Sequence, residues 1–156
     1  MITCTFEDGG KGTLRHVVVH GIVEKDGKIL LVKRAGSILE SGKWSLPSGF
    51  LGRDETAAGG IVREVKEETG WDCKVISLFR INTSPHRPHE DRQNITIEFI
   101  LRPIKETGTR DRENSMVEWI SIDAPLPFDQ FAFDHGESIK LYLDYRKNPF
   151  PLPLLV

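Results

Sequence analysis

The segment from Gly49 to Trp71, GFLGRDETAAGGIVREVKEETGW, limits what this chain can fold into and do more than any other. Its second half reads as a helix, with Asp54 or Thr56 available to cap the start and Gly70 placed as its left-handed C-terminal residue. Residues three and four apart are neighbours on a helix, so Glu64, Glu67 and Glu68 present three carboxylates on one face. Like charges at that spacing repel by about 0.2–0.5 kcal/mol per pair in water, and by more where solvent is excluded. Arg63 reaches Glu67 one turn on and leaves the other two without a partner, while Lys66 points elsewhere. Water, protonation or a multivalent cation relieves such a cluster. Taken alone, it reads as a solvated acidic helix face.

A chain of 156 residues is one domain by size, large enough to bury a core without disulfides or a structural metal. Its net charge of −2 gives no general attraction to nucleic acid or anionic lipid. Cys4 and Cys73 are far apart and form no CxxC pair, so they read as two reduced thiols. The sequence shows no signal-like apolar region at its start and no apolar run of membrane-spanning length. A cytoplasmic protein with no membrane and no nucleic-acid partner is the expectation.

Three divisions are expected: an arm over 1–15, a domain over 16–148 and an apolar tail over 149–156. The β-branched runs 16–24 and 29–34 flank Asp26-Gly27, a strong hairpin signal. Residues 35–43 read as a loop, and Trp44 to Pro47 as an extended approach to Gly49. Further strands are expected over 72–82, 94–102 and 116–120, separated by a long polar loop and by a charged loop over 105–114. The apolar spacing of 135–147 fits an amphipathic helix. Strands, helix, strands, helix in that order predict an α/β fold in which helices cover both faces of a mixed sheet.

Gly49, Glu55, Arg63, Glu64, Val65, Glu67, Glu68, Gly70 and Trp71 stand at the spacing of the Nudix hydrolase signature, and the chain resembles that family. The Trp44-Ser45-Leu46-Pro47 approach is similar to the family's as well. The resemblance implies the Nudix fold, an α/β/α sandwich with a mixed sheet between helices. It also turns the acidic face into a site. Glu64, Glu67 and Glu68 would be ligands for Mg²⁺ or Mn²⁺, hard cations that prefer oxygen donors, with the Ser48 carbonyl as a further ligand. Arg63 and Glu55 would hold carboxylates in orientation. Members of the family differ in the base that deprotonates water, which leaves Glu64 and Glu113 both open. Within the helix, the family's frequent alanine at Gly60 suits close packing against the sheet; Gly59 has no such account, although each glycine costs about 1 kcal/mol.

Substrate choice lies outside the signature. Pro85, the segment TSPHRPHEDRQNITIEF and Ala132-Phe133-Asp134-His135 resemble the ADP-ribose pyrophosphatase branch. That implies hydrolysis of a nucleotide, most readily ADP-ribose to AMP and ribose 5-phosphate. Arg80, Arg87 and Arg92, with His86 and His89, make the loop locally basic and could meet a phosphate, although a solvated loop is the plainer reading of each. Phe79, Phe131 and Phe133 could stack on adenine or belong to the core. Members of this branch are commonly dimers, so a homodimer is expected, and the apolar tail could pack on a partner or on its own domain. Two alternatives stay open: a nucleoside triphosphate pyrophosphohydrolase and a non-catalytic nucleotide-sensing domain.

Overall fold

A computed structural model describes residues 2–87, 94–110 and 113–156. The domain begins with β3 (Val17–Lys25) and β4 (Lys28–Arg34), joined through Asp26 and Gly27, both at positive φ (49° and 71°) as a two-residue hairpin turn demands. Short strands β5 (Trp44–Ser45) and β6 (Ser48–Phe50) lead into helix α1 (Ala57–Thr69). Long strands β7 (Trp71–Asn82) and β8 (Ile95–Glu106) follow, then β9 (Asn114–Ser121), helix α2 (His135–Lys147) and β10 (Leu154–Leu155). Before all of these, within the arm expected over 1–15, β1 (Ile2–Thr5) and β2 (Lys11–Leu14) form a separate antiparallel hairpin.

The sheet is mixed, in the order β10-β7-β8-β3-β4-β5, with β6 paired to β3 and β9 to β4. Strands β3 and β8 run parallel along their length, while β7 with β8 and β4 with β9 are antiparallel. Successive side chains of a strand point to opposite faces, and here each face feeds its own core. Val19, Val23, Leu30, Phe99 and Leu101 pack on one side with Ile61 and Val65 of α1. Ile22, Ile29, Leu31 and Ile100 pack on the other with Phe79, and with Ile139 and Tyr142 of α2. The layered architecture expected from the order of elements is the one observed.

Differences lie mainly at element ends. β8 continues to Glu106 and β9 begins at Asn114, which shortens the expected charged loop. The tail packs on its own domain: β10 pairs parallel with Arg80 and Ile81 of β7, and the Phe150 ring lies 5.2 Å from that of Tyr145.

Thr56, not Asp54, caps α1: its Oγ1 accepts the Gly59 N–H at 3.1 Å, and Gly70 ends the helix at φ 76°. The helix packs closely over Gly21 of β3, where a Cβ would stand 3.1 Å from Ile61 and Val65 of α1 and from Leu101 of β8. The close-packing role expected of Gly60 therefore belongs to Gly21. A Cβ at Gly60 would instead meet Glu55 and Leu51 of the preceding loop at 3.2 Å. A Cβ at Gly59 would approach only the Thr56 hydroxyl, at 3.3 Å, a contact that other residues make at this position of a capped helix, so nothing in the structure explains this glycine.

Candidate active site

The β6–α1 segment wraps back on its own helix. A Cβ on Gly49 would lie 2.1 Å from the Glu64 carboxyl carbon, so only glycine leaves room for that side chain. One residue earlier, the Ser48 N–H donates to Glu68 Oε2 at 3.0 Å. Loop backbone and helix face thus close around a cavity of about 620 Å³. Glu64, Glu67 and Glu68 line it together with Ser48 and Gly49. Glu113 joins them from the segment leading into β9, near enough that its charge acts on Glu64.

Arg63 is the hub of this acidic face. It grips Glu55 with a two-point fork, Nε to Oε2 at 3.0 Å and Nη2 to Oε1 at 2.7 Å. Its Nη1 also donates to Glu64 Oε1 at 2.8 Å and to Glu67 Oε2 at 2.9 Å. Arg63 therefore serves two of the three helix carboxylates, where the sequence pattern allowed it one. The fork, followed by the Gly52 N–H, lowers the Glu55 carboxyl to about 2. The carboxylates in turn raise the already high pKa of Arg63, with Glu55 contributing most. Glu64 shifts the other way: burial raises it, and the hydrogen bond from Arg63 only partly opposes that.

This donor set suits a hard divalent cation. It consists of carboxylate and carbonyl oxygens, with neither sulfur nor imidazole among the helix-face groups, and burial of Glu64 disfavours its charge unless a cation is near. Among the described residues no three acidic, His or Cys side chains converge tightly enough to enclose an ion. The Arg63 guanidinium already engages one oxygen each of Glu64 and Glu67, and it supplies the positive charge that a metal would otherwise bring.

Of the four residues expected to face substrate, Arg87 lines the cavity. Its side chain is buried, donating to Asp134 through Nε (3.1 Å) and Nη2 (2.5 Å) and to Thr96 Oγ1 (2.5 Å). Arg80 is a correction. It is only 5% exposed, and its Nη2 donates to Glu98 Oε1 and Ser138 Oγ, each at 2.7 Å, between the sheet and α2. A guanidinium enclosed that way is a structural ion pair, and it does not line the cavity. Pro85 and His86 are exposed and outside the cavity lining. Arg92 and His89 lie outside the described residues.

Among the aromatics, Phe79 and Phe131 belong to the core, while Phe133 lines the cavity at φ 49°. The Arg34 guanidinium stands 5.3 Å from the Phe133 ring centre, and Arg34 lines the cavity too. Sequence reasoning missed Arg34, whose only signal was a charge closing the apolar run of β4. It also missed the floor, where His20 and His135 stack at 4.3 Å. His135 is fully buried, and burial together with nearby cations holds its pKa well below the usual imidazole value. Its Nδ1 accepts the Leu46 N–H at 3.1 Å. Among the described residues, no helix is long and apolar enough to cross a membrane.

The NUDIX domain family model matches residues 13–142. Over 132 residues the chain is 39% identical to the ADP-ribose pyrophosphatase of Methanocaldococcus jannaschii, covering 85% of this chain and 75% of that one. A crystal structure of a NUDIX hydrolase from Nitrosomonas europaea superposes with TM-score 0.80 at 25% identity, covering 94% of this chain and 81% of the other. A bifunctional NMN adenylyltransferase/ADP ribose pyrophosphatase from Francisella tularensis, complexed with AMP and a Mn ion, gives TM-score 0.67 at 27% identity over 84% of this chain and 42% of its own. With Gly49, Glu64, Glu67 and Glu68 of the signature lining one cavity and the family model spanning most of its length, the chain belongs to the Nudix family of hydrolases.

Proposed function

We propose that this hydrolase cleaves the pyrophosphate of a nucleoside diphosphate derivative in a metal-dependent reaction, with ADP-ribose as substrate and AMP and ribose 5-phosphate as products. The observation that carries the reading is the make-up of one cavity. An acidic wall of Glu64, Glu67, Glu68 and Glu113 faces a space that also holds Arg34, Arg87 and the Phe133 ring. A diphosphate needs its charge neutralised, and its nucleoside needs an aromatic or cationic surface to lie on. The similarity to ADP-ribose pyrophosphatases supports the choice of substrate.

Glu64, Glu67 and Glu68, with the Ser48 carbonyl, would hold Mg²⁺ or Mn²⁺. The bound ion supplies charge neutralisation on the diphosphate and a water acidic enough to attack. The chain does the rest. Arg63, fixed by its fork to Glu55, sets the orientation of Glu64 and Glu67. Either Glu64 or Glu113 takes the proton of the attacking water on a carboxylate oxygen. Arg87, paired with Asp134, shapes the cavity wall where substrate would lie, and Phe133 with Arg34 offers the nucleobase a face.

A substrate panel with Mg²⁺ and Mn²⁺ tests this: ADP-ribose, NADH, dinucleoside polyphosphates, sugar nucleotides and nucleoside triphosphates. Release of AMP and ribose 5-phosphate at the highest kcat/KM is expected. Preferential release of pyrophosphate from triphosphates would replace the substrate, and no turnover of any compound would point to a sensing domain. Comparing Glu113→Gln with Glu64→Gln on the best substrate then separates the two candidate bases.

A further inference from the structure

We infer that Arg15, between the N-terminal hairpin and β3, is a positioning residue for the side of the cavity that carries Arg87 and Asn94. The inference rests on the substrate reading above and adds to it a residue far from the signature. The guanidinium of Arg15 donates Nη1 to the Thr83 carbonyl at 2.8 Å, and Nη2 to the carbonyls of Ser84 (3.1 Å) and Asn94 (3.2 Å). Thr83 and Ser84 follow the end of β7, and Asn94 precedes β8, its antiparallel neighbour. One planar cation therefore ties together the chain leaving one strand and the chain entering the next. The adjoining backbone adds a further tie, with the Ile95 N–H donating to the His16 carbonyl at 2.7 Å.

What is held this way belongs to the cavity. Asn94 lines it directly. The link to Arg87 runs through a relay of hydrogen bonds. The Ser84 N–H donates to Asn82 Oδ1 (3.0 Å), and Asn82 Nδ2 donates to Asp134 Oδ2 (3.0 Å), the same oxygen that accepts from Arg87 Nε. Arginine suits the task because its fork meets carbonyls on two chain segments at fixed angles. A lysine ammonium, a point charge on a flexible stem, holds one or the other. Small displacements of substrate-positioning groups are costly to binding and rate, and here the displaced groups meet substrate rather than the acidic wall. Arg15 thus tunes affinity and leaves the chemical step alone.

The test compares Arg15→Ala, Arg15→Lys and, as a control on the same hairpin, Lys11→Ala. Steady-state kinetics with ADP-ribose and Mg²⁺ are paired with amide hydrogen exchange in the absence of substrate. Arg15→Ala should raise KM about tenfold, the equivalent of losing one charge-assisted hydrogen bond, with kcat held within about twofold. The amides of Ser84, His86 and Ile95 should exchange faster; Arg15→Lys should fall between, and Lys11→Ala should match wild type. Unchanged exchange at those amides would overturn the inference. So would faster exchange with an unchanged KM, or with a loss confined to kcat, because the tie would then be structural only. Should wild-type protein leave ADP-ribose intact, the substrate reading fails on its own; the inference is then decided by the same KM comparison on whichever panel compound is hydrolysed.

Discussion

Arg63 and Arg80 each face carboxylates, and the setting makes them different devices. The Arg63 side chain is 37% exposed and shares itself among Glu55, Glu64 and Glu67. The Arg80 side chain is 6% exposed, against a fully enclosed Glu98 and a nearby Asp134. Exposed ion pairs are worth little individually because water screens and replaces them. That is what a site needs if its carboxylates are to release a guanidinium and accept a cation. A buried pair cannot let go, since separating it strands a charge without solvent. The difference predicts that breaking the first network costs activity and breaking the second costs the fold.

The acidic face offers the largest effect. Glu68→Gln keeps an oxygen able to accept the Ser48 N–H and removes the charge. Turnover should fall on the order of 10³–10⁴-fold, as for loss of a group central to the chemical step, with the thermal midpoint unchanged. Chelation with EDTA should abolish wild-type activity, and added Mg²⁺ or Mn²⁺ should restore it. A Glu68→Gln rate equal to wild type would remove this glutamate from the metal set and erase the contrast with the buried network.

On the buried side, Arg80→Ala should destabilise the protein by about 3–5 kcal/mol in urea unfolding. The folded fraction should lose far less turnover than Glu68→Gln, because Arg80 does not line the cavity and touches its lining residues only through Asp134. The pH dependence sharpens the same point. Burial opposes the Glu98 charge, yet His20 and Arg80 overcome it and hold the carboxyl at about 2, below its ordinary 4.5. A depressed carboxyl contributes stability that is full above the unfolded value and disappears as pH falls through the folded one. Wild-type stability should therefore decline between pH 4.5 and 2, and the decline should be shallower in Arg80→Ala. Equal slopes would show that Arg80 does not set the Glu98 charge.

The two networks were not equally legible in the sequence. Glu64, Glu67 and Glu68 could be placed on one face because helical spacing is local, and Gly49 and Gly70 marked the turns around them. Arg80 was misread because its partners, Glu98 and Ser138, come from β8 and α2, and only the sheet register brings them together. The fold's layers followed from strand and helix patterns that each chain segment carries by itself. The cavity's far wall did not. Arg34 comes from the end of β4 to stand over Phe133, which the sequence offered as a stacking residue or a core one without separating the two. The sheet packing that the family resemblance suggested for Gly60 also gives way, since the atoms nearest a Cβ there belong to Glu55 and Leu51 of the preceding loop.

Between the extremes lies the loop that shapes the acidic face. Gly49→Ala places a methyl where the Glu64 carboxylate now sits, 2.1 Å from its carbon. The carboxylate must swing away or the β6 backbone must shift, at a cost of roughly 1–3 kcal/mol. A fall in kcat/KM of about 10–100-fold is expected if most of that cost falls on the reacting geometry, with a smaller loss in thermal stability. A variant that lost stability but kept kcat/KM would place Glu64 outside the set of groups whose position matters.

The smallest effect tests how far the acidic face depends on its own helix. Thr56 Oγ1 accepts the Gly59 N–H, so Thr56→Ala leaves one donor of the first turn to water. Such a loss costs about 1 kcal/mol. It acts at the opposite end of α1 from Glu67 and Glu68, and Ile61 and Val65 between them anchor the helix to the sheet. Fraying of the first turn should therefore stop at that anchor. Glu55 adjoins the cap, however, and its carboxylate holds the Arg63 fork. A drop in thermal midpoint with unchanged kcat would show that the apolar stripe alone keeps the carboxylates in register. A parallel loss of kcat would show that the Glu55–Arg63 fork carries that order from the cap to the site, making the exposed network as rigid as the buried one.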